Sequence, residues 1–413
     1  RITLLIIAAL LLAGFLHAPS YLSPGEVRNS LSWPGLCHDP ALTSATEAQG
    51  PIININITTL YDEPSHITKF VVYDNYVWVG EAGEHFCRLL CLDLSSGKVL
   101  SELLGNYSDG WVIPSWVTNS SVFFFNVIYG SGIHRLYCYR IDGLSTPERC
   151  WSCDFDPYAD PLVTLANGYV FVRDWHAGQI YCLNATSGKK IWNYSIPKPL
   201  PLIAVDAGRV YISSALGYIT CLDVNGTYLW SRSVNTTHHT AVTVYRGRIF
   251  FASDDGYVFC FDPIKNACLW KRPLNETIRH HIVAAHGKLF VATYEGHLYC
   301  LDARDGRPLW RKKLGAVRVA EDYKKDVDEG RFMEPLALAA AENALYVCCE
   351  NRSLYCIDLV DGRVIWDRVL PYRPGAIAIV EGRLIVSAEG RLYSVTGRPD
   401  YIPPEVTIQE PAE

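Results

Sequence analysis

Between residues 52 and 396 the apolar positions come in short runs, mostly of three to six residues, separated by glycine-centred turns. One unit reads Leu202-Ile203-Ala204-Val205, Gly208, Val210-Tyr211-Ile212, Gly217, Tyr218 to Leu222, Gly226, then Leu229-Trp230. Runs this short, rich in Val, Ile, Tyr and Phe and bounded by turn residues, predict four strands joined by tight hairpins.

The unit recurs. A Cys followed by a Trp marks it at Cys182 and Trp192, Cys221 and Trp230, Cys260 and Trp270, Cys300 and Trp310, and Cys356 and Trp366. Looser copies start at Cys91 and at Cys138, the latter ending in Trp151, and a last copy at Tyr393-Ser394-Val395 has neither signal. Successive spacings of 47, 44, 39, 39, 40, 56 and 38 residues give a period near 40 with one insertion. A four-stranded antiparallel unit repeated radially at this period is a propeller blade. The expected fold is all-β: an eight-bladed β-propeller over 52–396, with blades at 67–104, 115–155, 161–196, 201–234, 240–274, 281–314, 335–370 and 375–396. Blade eight has three strands only, and the alternating run Ile52 to Ile57 is expected to close the ring as its outer strand, over 52–58.

These units resemble PQQ-like (pyrroloquinoline quinone) repeats, whose docking motif has the form A-x-D-x-x-x-G-x-x-x-W. Cys221-x-Asp223 with Gly226 and Trp230, Cys300-x-Asp302 with Gly306 and Trp310, and Cys356-x-Asp358 with Gly362 and Trp366 are similar to it. The departures are regular: Cys stands for Ala in seven units, Asn184 for Asp, Asn266 for Gly, and Ser101 for the Trp of blade one. The resemblance covers about 67–396 and implies the fold; for function it implies either quinone-dependent dehydrogenases or non-enzymatic scaffolds. The residues agree with its docking role, since Trp151, Trp192, Trp230, Trp270, Trp310 and Trp366 supply one large ring per blade and a small apolar Cys leaves room for it. Cys91, Cys138, Cys182, Cys221, Cys260, Cys300 and Cys356 are thus read as core residues. Among the remaining thiols, Cys37, Cys87, Cys150, Cys153, Cys268, Cys348 and Cys349, a few bridges are expected, and Cys150-Trp151-Ser152-Cys153 is read as a local disulfide rather than a metal or redox site.

The ends add a compartment. Arg1 followed by an apolar run to Leu16 and a small residue near its exit reads as a signal peptide over 1–18, or as a retained hydrophobic helix able to tether the chain to a membrane. Residues 19–51 read as an extended linker and 397–413 as a Pro-rich acidic tail. Nine Asn-x-Ser/Thr sequons, at Asn56, Asn106, Asn119, Asn184, Asn193, Asn225, Asn235, Asn275 and Asn351, exceed the roughly two expected by chance and point to N-linked glycans on an extracellular protein. One Met and three Gln are the bias of high-temperature proteins, and a thermophilic archaeon is the expected source. Net charge of -6 without a Lys/Arg run argues against a nucleic-acid partner.

Two constellations carry possible chemistry. His238, His239, His280 and His281 precede the first strands of blades five and six, on the face that also receives Asp174, His176, Asp254, Asp255, Glu295, Cys349 and Glu350. Imidazoles and carboxylates together suit a divalent metal, whereas hairpin-turn carboxylates and solvated loop histidines account for the same residues, and that second reading is preferred. The adjacent Cys348-Cys349 invites comparison with the vicinal disulfide beside the quinone in dehydrogenases of the family, but no stacking Trp or calcium-ligand set is placed with it. The charged insertion 320–330 reads as a solvated loop or a partner-docking segment. Exposed aromatics for a sugar are sparse: Trp111, Trp116 and Trp175. The expectation is therefore a non-enzymatic, extracytoplasmic binding or scaffold subunit at the cell surface, tethered or built into a filament through protein partners or self-assembly, with no catalytic residue and no cofactor. A PQQ-dependent quinoprotein dehydrogenase is the alternative, and a carbohydrate- or peptide-binding propeller a further one.

Overall fold

A computed structural model describes residues 46, 48–63, 66–83, 86–103, 110–128, 133–141, 147–155, 163–174, 177–196, 199–214, 216–234, 240–278, 282–314, 337–349 and 352–399. The expected segment 1–18, most of the linker and tail, and the insertion 320–330 lie outside them.

Among the described residues thirty-two strands form eight four-stranded antiparallel sheets. Seven sheets are consecutive in sequence; the eighth takes β1 (Ile53–Asp62) as its outer strand, hydrogen-bonded to β32 (Arg391–Arg398) in a register running from Ile53 opposite Arg398 to Asp62 opposite Arg391. The first strands of successive blades touch one another all the way round, so they form the inner wall of a closed ring. Joining the two ends of the chain within one blade leaves no unpaired radial seam. Strand β6 (Gly110–Val117) opens blade two five residues earlier than the sequence suggested, passing through Pro114 with a register shift before Trp116. An innermost strand has a free edge, where a proline costs no ladder hydrogen bond.

The core lies between blades. In blade three Phe171, Cys182 and Trp192 are direct cross-strand partners on strands two, three and four. The same row recurs as Phe123, Cys138 and Trp151, Tyr211, Cys221 and Trp230, Phe250, Cys260 and Trp270, Phe290, Cys300 and Trp310, and Tyr346, Cys356 and Trp366. The two rings lean over the thiol to centroid distances of 5.9, 6.0, 6.4, 6.0, 6.0 and 6.0 Å. Strands two apart are about 10 Å from each other, so a bulkier middle residue would keep the rings from meeting. Sulfur also packs favourably against ring edges, which gives Cys a reason to stand where Ala does elsewhere. Blade one reverses the order, with Trp78 on strand two, Cys91 between, and Ser101 on strand four.

Candidate functional site

Each docking Trp seats on the turn between strands three and four of the following blade. Asp93, Asn184, Asp223, Asp262, Asp302 and Asp358 start these turns, and each Oδ1 accepts backbone N–H groups two to four residues on, at 2.7 to 3.4 Å. Side-chain donors, the Ser95 and Ser96 hydroxyls at Asp93 and the Arg304 guanidinium at Asp302, together with these backbone bonds hold both carboxyls down to about 2. The turn glycine lies flat on the indole: a Cβ at Gly188, Gly226, Gly306 or Gly362 would come within 2.5 to 2.7 Å of Trp151, Trp192, Trp270 or Trp310. Asn266 keeps the same left-handed backbone at φ 50° above Trp230.

The indole N–H then donates to the turn carbonyl, Trp151 to Ala185 at 2.9 Å, Trp192 to Val224 at 3.0 Å, Trp230 to Pro263 at 3.0 Å and Trp310 to Leu359 at 3.4 Å. Where the pattern breaks, other groups serve. Trp366 of blade seven donates to Pro51 at 3.1 Å, beside the start of the closing strand. In blade eight, which has no Trp, Leu60 of β1 occupies the place under Gly97, and Arg383 donates to Leu94 at 3.3 Å.

All seven motif cysteines are at most 3% exposed, and burial raises each thiol to about 12. They are inert packing groups. Every described cysteine is unbridged, which corrects the expected Cys150–Cys153 disulfide. Both lie in β9 (Glu148–Phe155), where a separation of three residues along an extended strand spans about 10 Å, beyond the reach of an S–S bond. Cys348 packs in the core shared with blade eight and Cys349 in the core shared with blade six, each 1% exposed. Neither thiol faces the channel, so the pair does not supply the wall against which a quinone would lie.

At the channel mouth, His238, His239, His280, His281, His176 and Glu350 lie outside the described residues. Their described neighbours are engaged locally: Asp174 accepts from the Ala177 amide at 2.9 Å and Asp255 from the Ser253 hydroxyl within their turns, and Glu295 accepts from the Thr277 amide of the connection into blade six at 3.1 Å. Among the described residues no three His, Cys, Asp or Glu side chains gather closely enough to hold a metal ion. Trp116 is core, 2% exposed, while Trp111 is 43% exposed on the inner strand of blade two.

Two carboxylate clasps escaped the sequence reading. Glu81 is fully buried in blade one, where it accepts from Tyr61 of the closing strand at 3.2 Å and from Arg88, locking blade eight to blade one. Glu276, on the connection into blade six, accepts from Thr293 at 2.6 Å, His297 Nδ1 at 2.9 Å and Tyr299 at 2.7 Å, and pairs with Arg311. These bonds outweigh its burial and lower the Glu276 carboxyl, while burial and the carboxylate raise the Tyr299 phenol to about 12. Partners this distant in sequence leave no local motif to find.

Of the six described sequons, Asn56, Asn119, Asn193, Asn225 and Asn275 are exposed; Asn184 is half-buried, with its Oδ1 already engaged in the turn of blade three.

A family model described as outer membrane protein assembly factor BamB matches residues 140–215 and 198–271. No curated protein matches the sequence. Among solved structures, BamB from Moraxella catarrhalis is similar at 15% identity and a TM-score of 0.60, covering 83% of this chain and 100% of its own. A europium-containing methanol dehydrogenase aligns at 10% identity and a TM-score of 0.64, over 88% of this chain and 90% of its own. The quinohemoprotein alcohol dehydrogenase of Comamonas testosteroni aligns at 12% identity and 0.62, over 92% of this chain and 83% of its own. Identities this low establish the shared fold alone. By its docking turns and its closed ring the chain is an eight-bladed β-propeller, and over residues 140–271 it is similar to the BamB repeat model.

Proposed function

We propose that the protein is a non-enzymatic, extracytoplasmic propeller that serves as a rigid binding or scaffold subunit at the surface of a thermophilic archaeal cell, engaging protein partners or further copies of itself. The observation that carries this reading is where its reactive side chains go. Described carboxylates at the channel mouth hold turns and the connection into blade six, the motif thiols fill the core, Glu81 clasps blade eight to blade one and Glu276 anchors the connection into blade six, so these described groups serve the ring itself. The similarity to BamB, whose name marks it as an assembly factor, favours the same class. Export is supported by the apolar run at 2–16 and by the five sequons that stand exposed on turns, connections and outer strands. Membrane tethering through 1–18 and assembly through the arms belong to the same reading.

Glycopeptide mapping of the protein from its own cells tests it. Glycans at Asn56, Asn119, Asn193, Asn225 and Asn275 are expected; bare asparagines throughout would remove the extracytoplasmic assignment. The competing dehydrogenase reading predicts that added pyrroloquinoline quinone and calcium confer dye-linked alcohol oxidation, and the scaffold reading predicts none. A sugar-binding reading draws on Trp111, and quenching of its fluorescence by an oligosaccharide, lost in W111A, would favour it.

A further inference from the structure

In blades two to seven the outer strand carries a bulge next to its Trp, where the register against strand three slips by one residue. The extra residue is Ile191, Leu229, Leu269, Leu309 or Ile365 in blades three to seven. In blade two it is Cys150: Cys138 lies opposite Trp151 and Tyr139 opposite Arg149, which leaves Cys150 as the additional residue. At a bulge two residues confront one on the partner strand, so Cys150 and Trp151 together face Cys138. Neighbouring strands run about 4.8 Å apart, inside the 4.4 to 6.8 Å range of Cα separations that an S–S bond spans. Cys150 acts electrostatically on Cys138, and both thiols are free. Cys150 is exposed and Cys138 is 3% exposed, so a reagent from solvent meets Cys150 first.

We propose that Cys138 and Cys150 form an oxidation site, closing into a disulfide across the two outer strands of blade two when the protein meets a small-molecule disulfide. The Cys150 thiolate attacks one sulfur of the reagent, forming a mixed disulfide and expelling one thiolate. The Cys138 thiol then loses its proton to solvent and attacks Cys150 sulfur, expelling the second thiolate. Two protein thiols are oxidised and one reagent disulfide is reduced to two thiols. Burial and the neighbouring Cys150 raise Cys138 to about 12, so it resolves the mixed disulfide rather than starting it. The bridge would fix the outer strand of blade two directly beside the Trp151 seat on blade three.

Cys260 and Cys268 make the internal comparison. Cys268 lies opposite Phe261, the residue after Cys260, so strand alternation turns it to the other face. This proposal does not depend on the scaffold reading.

The test treats the folded protein with oxidised glutathione, alkylates the remaining thiols, and maps unreduced peptides by mass spectrometry. The expected result is a Cys138–Cys150 linked peptide lighter by two hydrogens, with no Cys260–Cys268 link. In C138A, where the Ala of the family motif keeps the core small, Cys150 should instead retain one glutathione; in C150S both signals should vanish. A wild-type protein in which Cys150 only accumulates glutathione would overturn the proposal. A Cys260–Cys268 link of equal yield would also overturn it, because the bulge would then select nothing.

Discussion

Replacing Gly226 with Ala isolates the contact that docks one blade on the next. Gly226 has φ +85°, and a Cβ there would stand 2.7 Å from Cδ2 and 2.8 Å from Cγ of Trp192. Gly208, in the hairpin between strands one and two of the same blade, has φ +73° and open space around the same atom. Both substitutions place an alanine in the left-handed region, at about 1–2 kcal/mol. Only G226A must also push the indole off its seat. That weakens the Trp192 bond to the Val224 carbonyl, 3.0 Å long, worth about 1 kcal/mol net. Re-exposing roughly 50 Å² of ring adds about 1 kcal/mol. The expected losses are about 1–2 kcal/mol for G208A and about 3–4 kcal/mol for G226A, a difference of about 2 kcal/mol. Guanidinium unfolding followed by tryptophan fluorescence reads both, and the native spectrum of G226A should shift to longer wavelength as the ring gains water. Equal losses for the two variants, with an unchanged native spectrum, would refute the docking role assigned to the turn glycine.

Other consequences follow from the same geometry. Arg88→Ala leaves the buried Glu81 carboxylate without its guanidinium partner and should cost about 3 kcal/mol, measured by the same unfolding experiment; a neutral result would mean that Tyr61 alone holds the clasp. Because the carboxyls of Asp93 and Asp302 are held at about 2, below their unfolded value, the stability they contribute is complete above about pH 4 and is lost as pH falls towards 2. D302N should flatten that loss in melting temperature against pH, and a variant with wild-type slope would assign the acid transition elsewhere. In the native protein at pH 8, Ellman's reagent should react with exposed Cys150 and Cys268 and more slowly with Cys153, with Cys138 expelling a second thiolate as it closes on Cys150, leaving the other six motif thiols silent until denaturant exposes them. Fast reaction at Cys221 or Cys300 would contradict their assignment to the core.

The propeller was legible because its determinants are local and repeated. A Cys, an Asp three or four residues from a left-handed turn, and a Trp recur near every 40 residues, and each has a nearby physical job: packing between rings, capping the turn, docking on the next turn. The alternation in Ile52 to Ile57 identified a strand in search of a partner, and β1 pairs with β32. What stayed hidden depends on residues far apart in the chain. Leu60 in place of a Trp, Pro51 as the acceptor for Trp366, and Tyr61 reaching Glu81 arise only once the ends meet in blade eight. Cys150–Cys153 misled because a C-x-x-C spacing suggests proximity, while an extended strand sends its two thiols apart. The histidine pairs flanking blades five and six lie outside the described residues, so the metal reading of the channel mouth remains with the sequence.

The most direct test of the scaffold reading is native mass spectrometry, with electron microscopy, of the protein isolated from its own cells. The account predicts glycosylated chains in polymers or membrane-bound complexes, with no quinone mass. A monomer carrying quinone or a divalent metal would contradict it and return attention to the channel mouth.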